Sequence, residues 1–308
     1  MRAPHLAAAL GALALVAGGA VAGVAGSEAS DAQRLQARAA APTVDRFDER
    51  RAWSRLRWQV RLGERPAGSA TSRRLARAGA RLLPRGRIER EANGVWNVVG
   101  SIPGRKPAIL VGAHYDTKDL PGFVGANDGA SGVAVVLELA RVLARAPRRP
   151  GAREVRFVLF DAEESPGESR DFLADGLRGS RAYVARHRGE IAQAIVVDMV
   201  GDRDLAIPRE TSSDPALWSR LRGAAVRVGA GSAFPPQTRP PILDDHIPFQ
   251  RAGITAVDII DFTYQPWHTR RDTLDKVSRT SLDLVGETLV EYLRPRRRAR
   301  APSRGRSG

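Results

Sequence analysis

Cysteine is absent from this 308-residue sequence. Its absence excludes disulfide bonds, a catalytic thiol, a lipid-modified cysteine and zinc sites built on thiolates. Histidine is also scarce, with five residues in the whole chain. If the protein binds a metal ion, the ion must therefore be held by a few imidazoles together with carboxylates.

Lysine is nearly absent as well, although the formal net charge is +15. Only Lys106, Lys118 and Lys276 are present, and arginines spread along the chain supply the remaining positive charge. Seven arginines lie in residues 294–308, which we predict to be a disordered basic tail. Because no basic stripe is interleaved with aromatic side chains and no nucleic-acid module is recognisable, we expect no nucleic-acid partner.

Long hydrophobic runs are confined to the N-terminus. An apolar run of Ala, Leu, Val and Gly from Leu6 to Ala25 follows one arginine and contains small-x-small sites. This pattern predicts a signal peptide at residues 1–26, or an N-terminal anchor if the segment is not cleaved. We therefore expect a secreted or extracytoplasmic protein with no membrane contact beyond such an anchor. Residues 27–45 are predicted to be a linker, and residues 46–293 to form one domain.

The predicted domain alternates strands with helices after an N-terminal helical region and a hairpin. Apolar strands such as PAILVGAHYD, VRFVLFD, AIVVDMVG and ITAVDIID are separated by helices such as GASGVAVVLELARVLA. Near-continuous apolar strands connected by helices indicate a mainly parallel sheet that is covered on both faces. We predict an α/β fold, a three-layer α/β/α sandwich with a mixed, mainly parallel central sheet.

Histidines and carboxylates follow four of these strands at the point where each strand ends. The ligand-binding crevice of an open α/β sheet lies beyond the carboxyl ends of its strands. The residues expected there, including one from the loop after the first of these strands, are His114, Asp116, Asp128, Asp161, Glu163, Glu164, Asp198, His268 and Asp272. With only nitrogen and oxygen ligands, this set favours zinc, with cobalt, manganese and iron as alternatives.

The stretch VRFVLFDAEES places Glu163 and Glu164 side by side directly after a buried strand. If the strand continued, the two side chains would point to opposite faces, and one would enter an apolar layer at a high energetic cost. We therefore predict that the chain turns before Glu163. Both carboxylates would then face the crevice, one binding a cation and the other handling a proton.

Five motifs occur in the order typical of one enzyme family: HYDT, GANDGASGVAVVLELAR, FDAEES, VVDMVGD and WHTRRDTLD. With LGERPAGS upstream, they resemble the M28-type zinc exopeptidases, a group that includes the glutaminyl-peptide cyclotransferases. The resemblance covers about residues 45–293. It implies that Asp128 bridges two zinc ions, that Glu164 and His268 complete one site, and that His114 and Asp198 complete the other.

The same resemblance implies a function. Glu163 would be the general base that takes a proton from a metal-bound water, with Asp116 fixing the tautomer of His114. The leading hypothesis is a two-zinc aminopeptidase that hydrolyses the N-terminal residues of peptides with a free N-terminus. The first alternative is a single-zinc glutaminyl-peptide cyclotransferase, which forms N-terminal pyroglutamate. The second is a domain that has lost catalysis and only binds.

The segment ILDDHIPF bears on that choice. In the cyclotransferases a similar DDHIPF carries an aspartate, matching Asp244, in a hydrogen-bond network with the residues that match Glu163 and Asp198. Trp267 also resembles their pattern, while related segments occur in plain aminopeptidases. We expect Asp244, His246 and Trp267 to lie at the substrate pocket, with a structural role for His246 as the alternative.

Overall fold

A six-stranded sheet forms the centre of the computed structural model, which describes residues 41–91, 94–167 and 171–294. In chain order its strands are β1 Arg87–Arg90, β2 Trp96–Ile102, β3 Arg105–His114, β4 Arg153–Phe160, β5 Ile191–Asp198 and β8 Thr255–Ile260. They lie in the order β1-β2-β4-β3-β5-β8. Strands β4, β3, β5 and β8 are parallel, whereas β1 and β2 form the predicted antiparallel hairpin at one edge.

Helices of about one to four turns connect the strands. Their bounds are α1 Glu49–Arg61, α2 Ala70–Leu82, α3 Ala130–Arg145, α4 Phe172–Asp175, α5 Arg178–His187, α6 Pro215–Arg227, α7 His246–Arg251 and α8 Arg279–Leu293. A separate parallel pair is made by β6 Arg209–Glu210 and β7 Thr238–Arg239. The short elements α4, α7, β6 and β7 were not expected, because elements of two to six residues are too short to display a period.

The helices cover both faces of the sheet. One layer contains α1, α2, α3, α6 and α8, and the other contains α5 and α7. Alternate strand residues supply the two cores: Val111 and Phe157 face the larger layer, whereas Leu110 and Val158 face the smaller one. The predicted three-layer α/β/α sandwich with a mixed, mainly parallel sheet is confirmed.

Polar caps explain where α1, α2, α6 and α8 begin, whereas α3 starts after a glycine and has no side-chain cap. The side chains of Asp48, Ser69, Asp214 and Ser278 each accept a hydrogen bond from a backbone amide in the first turn of the helix that follows. These caps satisfy amides that have no partner within the helix, and each typically stabilises a helix by about 1 kcal/mol.

Parts of the predicted domain plan lie outside the described residues. These are the leader at 1–26, residues 27–40 of the linker, residues 295–308 of the basic tail and Asn93 of the hairpin turn. Within the described ranges, no helix combines the length and the apolar character that crossing a membrane requires. The domain bounds therefore stay predictions.

Candidate active site

A cavity of about 490 Å³ opens at the carboxyl ends of β4, β5 and β8. Its apolar wall includes Phe172, Ile242, Ile260, Phe262 and Trp267. Its acidic residues are Asp128, Glu163, Glu164, Asp198 and Asp244. A largely apolar cavity in which a few polar groups converge is the usual form of a small-molecule or peptide-terminus site.

Asp128, at the start of α3, directs one carboxylate oxygen to each of two histidines. His114 Nε2 is 3.1 Å from Asp128 Oδ1, and His268 Nε2 is 3.5 Å from Asp128 Oδ2. Asp198 Oδ1 lies 3.2 Å from His114 Nε2, and Glu164 Oε1 lies 3.1 Å from His268 Nε2. The structure thus brings the five predicted ligands together in two groups that share Asp128.

Both groups fit a divalent metal ion. In each group, one potential ligand atom per residue lies within 4.8 Å of the others. Asp128 Oδ2 is buried without a hydrogen-bond partner, which is unusual for a carboxylate unless a cation lies beside it. All the donors are imidazole nitrogens or carboxylate oxygens, a set that suits zinc. The structure shows that the five residues converge. Their roles as metal ligands stay predictions.

The chain turns directly after β4, and the turn brings both glutamates to the cavity. Ala162 has a φ of +57°, a left-handed conformation that ends the alternation of the strand. Asp116 accepts hydrogen bonds from the amides of Glu163 and Glu164, at 3.1 and 3.2 Å. Both glutamate side chains line the cavity, as the sequence predicts.

Asp116 lies between the imidazole of His114 and the turn after β4. Its Oδ1 lies 3.6 Å from His114 Nδ1, which is beyond ordinary hydrogen-bond distance. Its close contacts are the two amides of the turn after β4. Asp116 therefore holds this turn, and its role in fixing the tautomer of His114 stays a prediction.

The loop that carries Asp128 is held by two side chains and one close backbone contact. Asp272 accepts hydrogen bonds from two consecutive amides that end at Asp128, at 2.8 and 3.1 Å. Arg65 is completely buried and donates to two carbonyl groups of the same loop. A Cβ atom at Gly129 would lie 2.5 Å from the carbonyl oxygen of His114, so only glycine permits this approach.

Glu163 is the carboxyl whose environment best suits proton transfer. Burial raises its pKa well above the ordinary value, and the charges of Glu164, Asp244 and Asp245 raise it further, while His114 opposes them. A general base or acid works best when its pKa is shifted toward the working pH. The electrostatics are consistent with the proton-handling role predicted for Glu163.

The predicted pocket residues divide into two kinds. Asp244 and Trp267 line the cavity, and the Trp267 ring stacks on His268 with centroids 4.1 Å apart. His246 does not line the cavity: it is completely buried, with Nε2 2.9 Å from Ser212 Oγ. The described residues therefore support a structural role for His246 rather than a role in lining the substrate pocket.

Sequence reasoning missed several further lining residues, among them Lys118, Phe172, Arg239 and Phe262. A single lysine, arginine or phenylalanine in a loop carries no local signal of a site. Asp258 was missed too, although a carboxylate inside the apolar strand ITAVDIID is a signal that could have singled it out.

Residues 97–293 match the sequence model of peptidase family M28. The chain belongs to peptidase family M28. Relatives of this M28 chain include aminopeptidase YwaD of Bacillus subtilis. It is 32% identical over an alignment of 197 positions, which covers 59% of this chain and 39% of the relative. They also include a glutaminyl-peptide cyclotransferase of Boiga irregularis, 27% identical over 242 residues, with 64% of this chain and 65% of the relative covered. The M28 chain therefore spans less than two thirds of the length of either relative.

The M28 fold is shared with solved structures of matching extent. One is the glutaminyl cyclase of an Acidobacteriales bacterium, with a TM-score of 0.73 and 29% identity, covering 82% of this chain and 95% of that one. Aminopeptidases and glutaminyl cyclases are thus both among the relatives of this M28 chain.

Proposed function

We propose that this M28 protein is a glutaminyl-peptide cyclotransferase, which converts an N-terminal glutamine into pyroglutamate and releases ammonia. The composition of the cavity wall carries the proposal. Among the described residues, all three members of the ligand group Asp128, Glu164 and His268 line the cavity. In the other ligand group, His114 lies behind the cavity wall. The first group would hold one substrate-facing zinc ion, the number that the cyclase reaction uses.

Glu163 would move the proton that cyclisation requires. Zinc, when bound, supplies a Lewis acid that polarises the γ-amide carbonyl of the substrate. Glu163 accepts a proton from the α-amine as its nitrogen attacks the side-chain amide carbon, and returns that proton to the departing amide nitrogen. One carbon–nitrogen bond forms, one breaks, ammonia leaves, and no water is consumed.

Asp244 supports this assignment because it adds a third acid beside Glu163 and Asp198. It is buried in the cavity wall, and burial together with the Asp198 charge raises its pKa to about 6. A row of acids favours binding of a cationic α-amine. In the cyclotransferases, the aspartate that matches Asp244 lies in a hydrogen-bond network with the residues that match Glu163 and Asp198, and this resemblance favours the cyclase.

The aromatic wall suits a short, uncharged side chain. Trp267 packs on His268 and also on Phe262, with centroids 4.1 and 4.8 Å apart. These rings offer apolar contact to the methylene groups of a glutamine while leaving its amide directed at the polar residues. The similarity to the Acidobacteriales glutaminyl cyclase over 95% of that chain also supports this function.

An aminopeptidase is the second candidate, and one observation favours it. Asp128 offers its two oxygens to two separate ligand groups, which is the arrangement expected of a carboxylate bridging two zinc ions. The similarity to aminopeptidase YwaD supports the same alternative. A catalytically inactive binding domain is a weaker third candidate, because every predicted ligand is present.

A paired assay with metal analysis tests the proposal. Purified, zinc-loaded protein is offered a peptide with N-terminal glutamine and, separately, amino-acyl anilides. We expect release of ammonia and formation of pyroglutamate with no residue removed, and one zinc ion in the active site in an anomalous-scattering map of zinc-loaded crystals. Liberation of free amino acids from either substrate, with two zinc ions at the site, would instead establish the aminopeptidase.

We also propose that the substrate is a peptide with a free N-terminus and that the protein acts outside the cytoplasm. The first part rests on the acid row in the cavity, and the second on the leader pattern at residues 1–26. Sequencing the N-terminus of the protein recovered from the medium of its native host would test the second part.

A further inference from the structure

A second buried cluster lies behind the cavity, where α7 packs against β8. Its members Glu210, Asp244, His246 and Asp258 are each at most 3% exposed. Within the described residues, the ion pairs formed by these carboxylates are with His246, and none is with a lysine or arginine. Buried carboxylates without a counter-charge are strongly unfavourable, so a cation or a bound proton must compensate them.

The neighbours of His246 determine which of its nitrogens carries the proton. Ser212 Oγ lies 2.6 Å from Glu210 Oε2 and 2.9 Å from His246 Nε2. Glu210 Oε2 also accepts a hydrogen bond from the backbone amide of Ser212 at 2.8 Å, so this carboxylate is placed as an acceptor. The single hydroxyl proton of Ser212 therefore goes to Glu210, and His246 Nε2–H donates to Ser212. With the proton of a neutral imidazole on Nε2, Nδ1 presents a lone pair.

That lone pair faces oxygens that also lack a donor. His246 Nδ1, both carboxylate oxygens of Asp258 and Oδ2 of Asp244 are buried without a hydrogen-bond partner. His246 Nδ1 is 3.9 Å from Asp258 Oδ2, too far for a hydrogen bond. Two atoms bound to one zinc ion at about 2.1 Å each are separated by roughly 3 to 4 Å, depending on the angle. One ligand atom from each of the three residues lies within 4.8 Å of the others, so a small inward movement of the side chains would bring all three to one ion.

We propose that Asp244, His246 and Asp258 form an interior site for a divalent metal ion, with zinc as the ion that suits this donor set. The two carboxylates balance the charge of the ion. The hydrogen bond from His246 to Ser212, continued to Glu210, orients the imidazole as the other ring N–H of a metal-bound histidine usually does. The ion links β8 to the start of α7 and fixes Asp244 in the cavity wall. This inference does not depend on which reaction the cavity performs.

Zinc content in two matched variants tests the site. Asp258→Asn removes a charged ligand from it. Asp261→Asn, the control, changes an equally buried aspartate three residues away, whose oxygens accept from Ala206 and Thr263 and which belongs to no ligand group in the described part of the chain. After zinc loading and removal of excess metal, we expect the wild type and the control to retain equal zinc and the Asp258→Asn protein to retain one ion fewer per chain. Equal content in all three proteins would overturn the proposal.

A second measurement on the unaltered protein covers the case in which Asp258→Asn fails to fold. Crystals of the zinc-loaded wild type are measured at the zinc absorption edge. We expect an anomalous peak between Asp244, His246 and Asp258, separate from the peak beside Asp128. A map with zinc at Asp128 and no peak in the interior cluster would overturn the proposal, and would indicate a proton shared by Asp244 and Asp258.

Discussion

Ala162 and Asp116 together determine where the two adjacent glutamates point. The left-handed backbone at Ala162 ends the strand, and Asp116 receives the next two amides. A non-glycine residue with positive φ is uncommon and persists only where surrounding contacts enforce it. The two hydrogen bonds to Asp116 are such contacts, so the pair of glutamates is held by the protein before any ligand binds.

At the residue scale, we predict that Glu163→Gln abolishes turnover while leaving the metal in place. A glutamine has nearly the same shape but cannot accept a proton, so kcat should fall by about 10²- to 10⁴-fold. Zinc content should match the wild type, because Glu163 belongs to neither active-site ligand group. Glu49→Gln at the first residue of α1, which does not line the cavity, is the control and should keep full activity. Retention of more than a tenth of the wild-type kcat in Glu163→Gln would contradict the proton-handling role.

At the scale of elements, α3 approaches the sheet closely because it carries a glycine. A Cβ atom at Gly132 would lie 2.1 Å from the carbonyl oxygen of Val197 in β5. This contact places the start of α3, and with it Asp128, directly over the strand that ends in Asp198. Close helix–strand packing therefore determines the spacing of the shared carboxylate and the ligand on β5.

We predict opposite effects for alanine at two helical glycines. Gly132→Ala forces backbone apart and should destabilise the protein by about 1 to 3 kcal/mol. Gly223→Ala in α6, where a Cβ atom would meet only the Arg227 side chain at 3.5 Å, should stabilise it by about 0.5 to 1 kcal/mol through helix propensity. Urea unfolding at fixed zinc concentration measures both changes. Equal changes in the free energy of unfolding of the two variants would mean that the close packing of α3 on β5 leaves room for a methyl group at Gly132.

At the scale of the whole molecule, the segment before α1 packs against the closing helix. Glu287 in α8 accepts a hydrogen bond from the amide of Phe47 at 2.7 Å and pairs with Arg46. Nearby, burial and the charges of Glu287, Glu49 and Asp45 raise the pKa of Asp283 to about 7. Residues far apart in the chain thus create a local excess of negative charge.

We predict that Asp283→Asn stabilises the protein in a pH-dependent way. The folded pKa of about 7 lies above the unfolded value of about 3.9, so the folded state holds an extra proton between them and stability falls as the pH rises through that window. The variant should be more stable at pH 8 by up to about 1 kcal/mol, a figure reduced for solvent screening because the group is partly exposed. The gain should shrink toward pH 5 and in high salt. Thermal unfolding measured against pH tests this, with a variant at an exposed aspartate, Asp204→Asn, as the control. A gain in stability of Asp283→Asn that stays constant with pH would contradict the prediction.

Local patterns in the sequence were sufficient for the elements and for part of the site. The apolar runs of β3, β4, β5 and β8 and the apolar face of α3 are visible in the chain because burial imposes a period on neighbouring residues. Parallel strands end at one edge, so the residues after each strand, such as His114 and Asp198, could be assigned to a common site before their distances were known.

Tertiary structure alone decided which ligand groups share Asp128 and which residues lie behind the cavity wall. Which oxygen of Asp128 faces which histidine depends on the approach of α3 to β5. The separation of Asp244 from His246, one in the cavity wall and the other behind it, depends on how α7 packs against β8. The meeting of His246, Asp258 and Glu210 joins three distant segments. Such contacts leave no period in the sequence, because each depends on the relative placement of whole elements rather than on the residues beside it.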